Sequence, residues 1–157
     1  SGNQDNLDFS TTFADSGDYH VFMVLDLSEE NSETFLSSAD NTSFMRFAQG
    51  GSATAFKMKN GGTVANITLS EGFGTTKAIA EVSRNSSNLV RVAKNGVSLG
   101  SGTGSGAFGF EQIGASSGAS SLTSATIFEV VIFSSALSSA DATKVRNDIA
   151  DRNSISL

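Results

Sequence analysis

The sequence contains no cysteine, no proline and no tryptophan, and its single histidine is His20. Without cysteine the chain cannot form a disulfide, use a thiol nucleophile or bind an iron–sulfur cluster. A single histidine excludes histidine-rich metal sites and most acid–base mechanisms that need two histidines. No run of about 18 apolar residues occurs, so we expect no membrane insertion.

Acidic and basic residues are unevenly distributed along the chain. The formal net charge is −6, yet the first 45 residues hold nine acidic residues and no lysine or arginine. An acidic segment repels phosphate, and the basic residues are scattered through the rest of the chain, so we expect no nucleic-acid binding. The acidic segment is typical of a surface that favours solubility, and a rim for divalent cations is the alternative.

Two long segments have the pattern of strands that are covered on both faces. Residues 19–27 are apolar at every second position and partly apolar between, and residues 126–133 share this character, so both are predicted to be central strands. Shorter alternating segments predict half-buried strands of antiparallel sheets. These segments are 34–37, 44–48, 53–59, 64–69, 77–84, 89–94 and 108–114.

Turn signals separate these segments. Asn95-Gly96 and Asn60-Gly61 predict tight hairpins, because asparagine and glycine tolerate a positive φ. The glycine-rich segment 100–106 lies between two predicted strands and is interpreted as a flexible loop. Strands that recur every 8 to 12 residues or so, without helices between them, predict an all-β fold.

One short helix is predicted near the C-terminus. Ser138 can cap it and Asp141 follows three residues later, while Leu137 can pack against Ala142. Val145 and Ile149 continue the apolar face at helical spacing. We therefore predict one domain over residues 1–157, an antiparallel two-sheet β-sandwich (jelly roll) that is closed by a single short C-terminal helix.

No constellation of catalytic residues stands out. Glu29, Glu30 and Glu33 lie in or beside a polar loop, and Glu129 is expected to be a rim or paired charge on a strand. A lone histidine on a strand is more often structural than catalytic, so His20 is interpreted as structural. We expect no catalytic residues and therefore no enzyme.

Two loop segments are rich in oxygen ligands. Asp15 and Asp18 flank a serine and a glycine, and Asp40 and Asn41 are adjacent in another polar loop. Neither segment has the spacing of an EF-hand loop, but these four residues are candidates for a calcium site. No other cofactor is expected.

Three segments follow one another in the order found in the laminin-G-like, concanavalin A-like jelly-roll superfamily. They are the hairpin segment 90–97, residues 112–114, and the strand 127–133 followed by Ala136-Leu137-Ser138 and a helix. Residues 6–9 and 19–27 look like the opening strands of that family. The chain resembles this superfamily over nearly its whole length. The resemblance implies two antiparallel sheets packed face to face, with rim loops that bind glycans or protein surfaces.

The resemblance also directs the functional interpretation. The chain lacks the Glu-x-Asp-x-x-Glu segment of the glycanase branch, and it lacks the cysteines of many animal adhesion domains, which favours a phage or bacterial type. We expect a non-catalytic structural or adhesion module of a phage virion or microbial surface assembly, such as a decoration, head-fibre or tail-appendage protein. Its location would be a virion, the cell surface or the extracellular space.

Two groups of partners are compatible with this expectation. Within a particle the chain would contact other protein subunits and occur in multiple copies, and on a surface it would bind glycans. The alternative function is a calcium-dependent, lectin-like carbohydrate-binding domain that uses the loops 15–18 and 40–41. A degenerate glycanase is a third reading.

Overall fold

The computed structural model describes residues 7–15, 17–61, 63–114 and 124–157, with the backbone alone over residues 8–15. Eleven strands and one α-helix lie in this part of the chain, with a short 3-10 turn at Gln49–Gly51. The elements are β1 (Leu7–Asp15), β2 (Tyr19–Leu27), β3 (Glu33–Ser37), β4 (Phe44–Phe47), β5 (Ala55–Asn60), β6 (Thr63–Thr68), β7 (Ala78–Arg84), β8 (Leu89–Lys94), β9 (Val97–Thr103), β10 (Phe108–Ile113), β11 (Ala125–Phe133) and α1 (Ser139–Asn153).

The strands form two antiparallel sheets. One sheet has the order β1-β10-β3-β4-β5-β6, and the other has the order β11-β2-β7-β8-β9. Apolar side chains from both sheets meet in one core, among them Tyr19, Met23 and Leu25 from β2 and Phe47 and Phe56 from the six-stranded sheet. The predicted all-β, two-sheet sandwich with a C-terminal helix is confirmed.

Strand β2 is buried on both of its faces. Its odd-numbered side chains enter the core between the sheets, whereas Phe22 and Val24 point outward and are covered by α1. Ile149 of the helix is 1% exposed in this second cluster. The almost continuous apolar character of β2 is therefore explained by a sheet on one side and a helix on the other.

Helix α1 begins as the sequence predicts. The Ser138 side chain accepts a hydrogen bond from the Asp141 amide (3.1 Å), and its hydroxyl donates to the Asp141 carboxylate (2.7 Å). Leu137 packs beside Ala142 in the apolar cluster under the helix. The cap therefore fixes where the helix starts, and the apolar stripe fixes which side faces the sheet.

Residues 126–133 form a strand as predicted, but the prediction that this strand is central in its sheet is wrong. Strand β11 is hydrogen-bonded to β2 alone among the described strands and lies at the edge of the five-stranded sheet. Ile127, Val130 and Ile132 pack on the core, while Val131 and Phe133 pack beneath the helix. Its two apolar faces therefore arise from the helix and the opposite sheet, and not from a position in the middle.

The interpretation of residues 100–106 as a flexible loop is wrong for its first half, because residues 100–103 belong to β9. A Cβ atom on Gly100 would lie 2.7 Å from the Thr68 carbonyl oxygen, and one on Gly102 would lie 2.9 Å from Ile67. The alternate glycines therefore face β6, where the edges of the two sheets approach each other too closely for any side chain.

Candidate functional site

A concave region at one end of the six-stranded sheet is the best candidate site, and we call it the rim groove. Its volume is about 370 Å³. It is formed by the β3–β4 loop, the β5–β6 turn, the segment before β10 and β10 itself. The lining residues are Ser38, Ala39, Asp40, Thr42, Ser43, Gly61, Ala107, Gly109 and Glu111.

Asp40 organises the β3–β4 loop. Its Oδ1 atom accepts hydrogen bonds from the Ser38 hydroxyl (2.7 Å), the Thr42 amide (3.0 Å) and the Thr42 hydroxyl (2.7 Å). The Thr42 amide and the two hydroxyls favour the charged form and lower the pKa of Asp40 to about 2. Asp40 therefore presents a fixed negative charge at the entrance of the groove at any physiological pH.

Two further side chains tie the groove together. The Ser43 hydroxyl, which is buried, accepts hydrogen bonds from the amides of Gly61 (3.2 Å) and Gly109 (3.3 Å). Glu111 Oε2 accepts a hydrogen bond from the Ala39 amide (3.0 Å). The β3–β4 loop is thus attached to both the β5–β6 turn and β10, so the groove is formed before any ligand arrives.

The lining of the rim groove is rich in hydrogen-bond acceptors. No hydrogen bond from another described residue reaches Asp40 Oδ2, and the Asp40 side chain is exposed. A carboxylate oxygen in this state can accept one or two hydroxyl donors. The small residues Ala39, Gly61 and Ala107 leave the approach open, so the groove suits a ligand with adjacent hydroxyl groups.

The four predicted cation ligands lie at the same end of the molecule. The backbone of Asp15 pairs with Phe108 at the start of β10, and Asp18 precedes β2. Asp40 lines the rim groove, and Asn41 next to it has a buried Oδ1 atom without a hydrogen-bond donor among the described residues. Calcium takes about six to eight oxygen ligands, and no three histidine or acidic side chains of the described residues group closely enough to hold a metal.

Glu29 accepts a hydrogen bond from the Ser124 hydroxyl (3.1 Å), whereas the other two predicted loop glutamates accept from backbone amides. Glu30 accepts from the Gly74 amide (2.8 Å), and Glu33 accepts from the Ser124 amide (2.5 Å). Glu33 is the first residue of β3, at the edge of the polar loop as the sequence indicates, and it is buried. Burial raises the pKa of Glu33 despite hydrogen bonds from the Ser124 and Asn31 amides, and the Glu29 charge raises it further.

The other singled-out residues have the structural roles that the sequence indicates. Glu129 pairs with Arg152 (2.5 Å) and also accepts from Asn153 (2.6 Å), which ties the edge strand β11 to the helix. His20 stacks on Phe22 with a centroid distance of 4.4 Å and lies 3.8 Å from Glu81. Glu129 therefore connects the five-stranded sheet to its helix, whereas these contacts of His20 lie within the sheet.

Sequence reasoning missed Glu111 and Ser43. Glu111 lies about 70 residues from the loop that it holds, and its position follows from the register in which Gln112 opposes Ser37. Its signal in the sequence is an acidic residue directly after the apolar segment Phe108-Gly109-Phe110. Ser43 carries no signal, because it is one of 27 serines.

No protein-family model matches the chain, and no curated protein sequence matches it either. Solved structures do resemble it. A candidate carbohydrate-binding protein from Bacteroides ovatus ATCC 8483 gives a TM-score of 0.59 at 13% identity, over 83% of this chain and 43% of that one. The likeness is one of fold.

Two botulinum neurotoxin structures are similar to the same degree. A structure of botulinum neurotoxin type C, whose cell entry is dependent upon interaction with two ganglioside molecules, gives a TM-score of 0.58 at 16% identity. A type D/C binding domain in complex with rat synaptotagmin II gives a TM-score of 0.58 at 14% identity. Each match covers 85% of this chain and 36% of the other. The chain thus spans less than half the length of these proteins.

No helix among the described residues is long and apolar enough to cross a bilayer.

Proposed function

We propose that this protein is a non-catalytic carbohydrate-binding module that recognises hydroxyl-rich glycans at the rim groove. The observation that carries the proposal is the exposed, ionised carboxylate of Asp40, which is held rigid by Ser38 and Thr42 and leaves Oδ2 open to a ligand. A preformed acceptor loses little entropy when it binds a sugar diol. The fold shared with a candidate carbohydrate-binding protein and with a ganglioside-dependent toxin supports the proposal.

A glycan array tests this function. We expect the chain to bind a subset of uncharged oligosaccharides and Asp40→Asn to lose most of that binding, because the amide replaces an acceptor with a donor. Asp148→Asn is the matched control, since Asp148 lies on the exposed side of α1 and pairs with Arg152. Binding by the parent protein that survives in Asp40→Asn would contradict the assignment to the rim groove, and a silent array would contradict the function.

Calcium dependence is a separate arm of the same experiment. Asp40 Oδ1 already accepts three hydrogen bonds, so the described residues offer only part of a calcium shell. We therefore propose direct recognition by Asp40, with binding unchanged by a chelator. Loss of binding on chelation would instead favour the lectin-like calcium site at Asp15, Asp18, Asp40 and Asn41.

A second candidate function is assembly within a virion or microbial surface structure, and one observation favours it. Strand β11 has no partner on its outer side among the described strands, and Phe128 on it is 48% exposed with Lys77 positioned over its ring at 4.5 Å. An open strand edge can pair with another chain. Recovery of the protein in fixed proportion with a purified particle would support this role, and recovery only as a free monomer would oppose it.

A further inference from the structure

A second concave region lies on the outer face of the five-stranded sheet, beside the first half of α1, and we call it the helix-side pocket. Its volume is about 350 Å³. It shares no lining residue with the rim groove. The lining residues are His20, Glu81, Ser83, Arg91, Val92, Ala93, Gly96, Ser98, Leu137, Ser139, Ala142, Thr143 and Arg146.

The strand registers place the polar residues of this pocket side by side. His20 is opposite Ser83, and Ser83 is opposite Arg91, so the three point out from β2, β7 and β8 in one row. Glu81 lies one row further along, opposite Ala93. The pocket floor is therefore part of the regular sheet and rigid.

An ion pair neutralises the acidic residue in the pocket. Arg146 donates from Nε to Glu81 Oε1 (2.5 Å) and from Nη2 to Oε2 (3.0 Å), and the Glu81 side chain is 6% exposed. This bidentate contact uses both carboxylate oxygens. A ligand in the pocket therefore meets little negative charge.

Arg91 is the charged residue of the pocket that remains outside the Glu81–Arg146 ion pair. Its side chain is exposed, and no described carboxylate lies within salt-bridge distance of its guanidinium. On Arg146, Nη1 donates no hydrogen bond to a described residue. His20, which is 7% exposed, has a buried Nδ1 atom without a partner in the described part of the chain. The lining thus carries a net positive charge, and Arg91 and Arg146 Nη1 supply unused donors.

The rest of the pocket lining consists of hydroxyl groups and apolar side chains, which a site for a simple anion does not need. The hydroxyls of Ser83, Ser98 and Ser139 form no hydrogen bond with described residues, whereas Leu137 and Ala142 present an apolar side. Hydroxyls beside an apolar patch match the polar edge and the C–H face of a sugar ring. A volume near the lower end of the range for ligand pockets, about 300–1,000 Å³, holds one ring.

We propose that the helix-side pocket binds a single acidic sugar, with the carboxylate of the ligand at Arg91 and its ring against the hydroxyls and Leu137. A guanidinium donates two parallel hydrogen bonds to a carboxylate. This site is separate from the rim groove, so it can succeed or fail independently of the function proposed there.

Calorimetric titration of the intact chain with galacturonate tests the proposal, with galactose and inorganic phosphate as matched probes. We expect galacturonate to bind more tightly than either probe. We expect Arg91→Gln to weaken it about tenfold or more, since a hydrogen bond to a charged group is lost. Arg152→Gln is the control, because Arg152 lies on the same helix outside the pocket and should leave the affinity unchanged.

Amide chemical shifts locate the binding. Galacturonate should shift the signals of Ser98 and Thr143 and leave those of Thr42 and Gly109 in place. Phosphate binding as tight as galacturonate would overturn the sugar assignment, and unchanged affinity in Arg91→Gln would overturn the site. Loss of galacturonate binding in Asp40→Asn, with Arg91→Gln unaffected, would move the acidic sugar to the rim groove.

Discussion

The two concave regions of the molecule present charges of opposite sign. In the rim groove the lining charges are the carboxylates of Asp40 and Glu111, whereas in the helix-side pocket Arg91 remains after Arg146 and Glu81 neutralise each other. The groove is built mainly by loops, whose short side chains accept hydrogen bonds from nearby backbone amides. The pocket is built by neighbouring strands and a helix, which bring long side chains together from distant parts of the sequence.

The difference shows how one small sandwich can offer two kinds of recognition. Loops at a rim supply acceptors that are fixed by local hydrogen bonds, and such a site depends on loop geometry. A site on a sheet face depends on register and on the element packed above it. Substitutions that damage one region should therefore leave the other intact, and the following predictions test this independence.

The largest effect is expected from Gly106→Ala beside the rim groove. Gly106 has a φ of 93°, and a Cβ atom there would lie 2.6 Å from the Asn60 carbonyl oxygen. Backbone strain and overpacking together should lower the free energy of unfolding by about 3 kcal/mol, measured by urea denaturation.

Gly50→Ala is the matched control for that substitution. Gly50 also has a positive φ, 66°, but nothing lies within 4 Å of the added Cβ, so the loss should be about 1 kcal/mol from strain alone. Equal losses in the two variants would show that the close approach to Asn60 does not limit the fold. Galacturonate binding should persist in both.

A smaller loss is expected from Glu81→Gln in the helix-side pocket. The change removes the charge that holds Arg146, and it should lower the free energy of unfolding by about 2 kcal/mol. Glu129→Gln breaks an ion pair whose arginine side chain is 48% exposed, so its loss should stay below about 1 kcal/mol. Urea denaturation measures both losses. A larger loss in Glu129→Gln than in Glu81→Gln would contradict the conclusion that the buried ion pair contributes more stability.

The third prediction concerns the pH dependence of the stability that is lost in Glu81→Gln. Burial disfavours the charged form of Glu81, but the hydrogen bonds and charges of His20 and Arg146 outweigh burial and lower its pKa below the ordinary 4.5. Glu81 therefore contributes stability above pH 4.5, and this contribution disappears as the pH falls through its folded-state pKa. The stability gap between the parent and Glu81→Gln should be full at pH 7 and shrink at lower pH.

Glu33→Gln is a control for which we expect a pH dependence of stability with the opposite sign. Because burial raises the pKa of Glu33, its carboxylate costs the fold stability as the pH rises above 4.5. Glu33→Gln should therefore gain stability relative to the parent between pH 4 and pH 7. Urea denaturation at several pH values measures both trends, and parallel trends in the two variants would contradict the assigned pKa directions.

The smallest effect is a change in titration at the rim groove. The carboxyl carbon of Asp40 should titrate in NMR with a midpoint of about 2. Thr42→Val removes one of the hydroxyl donors while keeping the amide donor, so the midpoint should rise part of the way towards the ordinary 3.8. Lys144→Gln, on the exposed helix surface, should leave the Asp40 midpoint unchanged; an unchanged midpoint in Thr42→Val would contradict the role of the hydroxyl.

The elements that the sequence predicted well are those whose signals are local. The period-two apolar pattern of residues 19–27 matches β2 from end to end, the Ser138 cap marks the start of α1, and Asn95-Gly96 forms the β8–β9 turn with both residues at positive φ. Each of these features depends on neighbouring side chains and on backbone preferences that a short segment carries by itself.

Other features depended on contacts between distant segments. The glycines of residues 100–103 carry the period of a strand, but only the close approach of β6 explains why those positions lack side chains. The edge position of β11 follows from strand order, which its own residues do not encode. Asp40 was predictable as a loop carboxylate, whereas its neighbour Glu111 required the register between β3 and β10.

By itself, the sequence determined the two-sheet architecture, its hairpin turns and the capped C-terminal helix, because alternation, turn residues and caps act over a few residues. Only the tertiary structure decided which charges meet. His20 and Glu81 are 61 positions apart and Arg146 is a further 65 positions away, and they lie together because β2 pairs with β7 and the helix packs across both. Pairing and packing between distant segments depend on the burial of the whole core, which no single segment specifies.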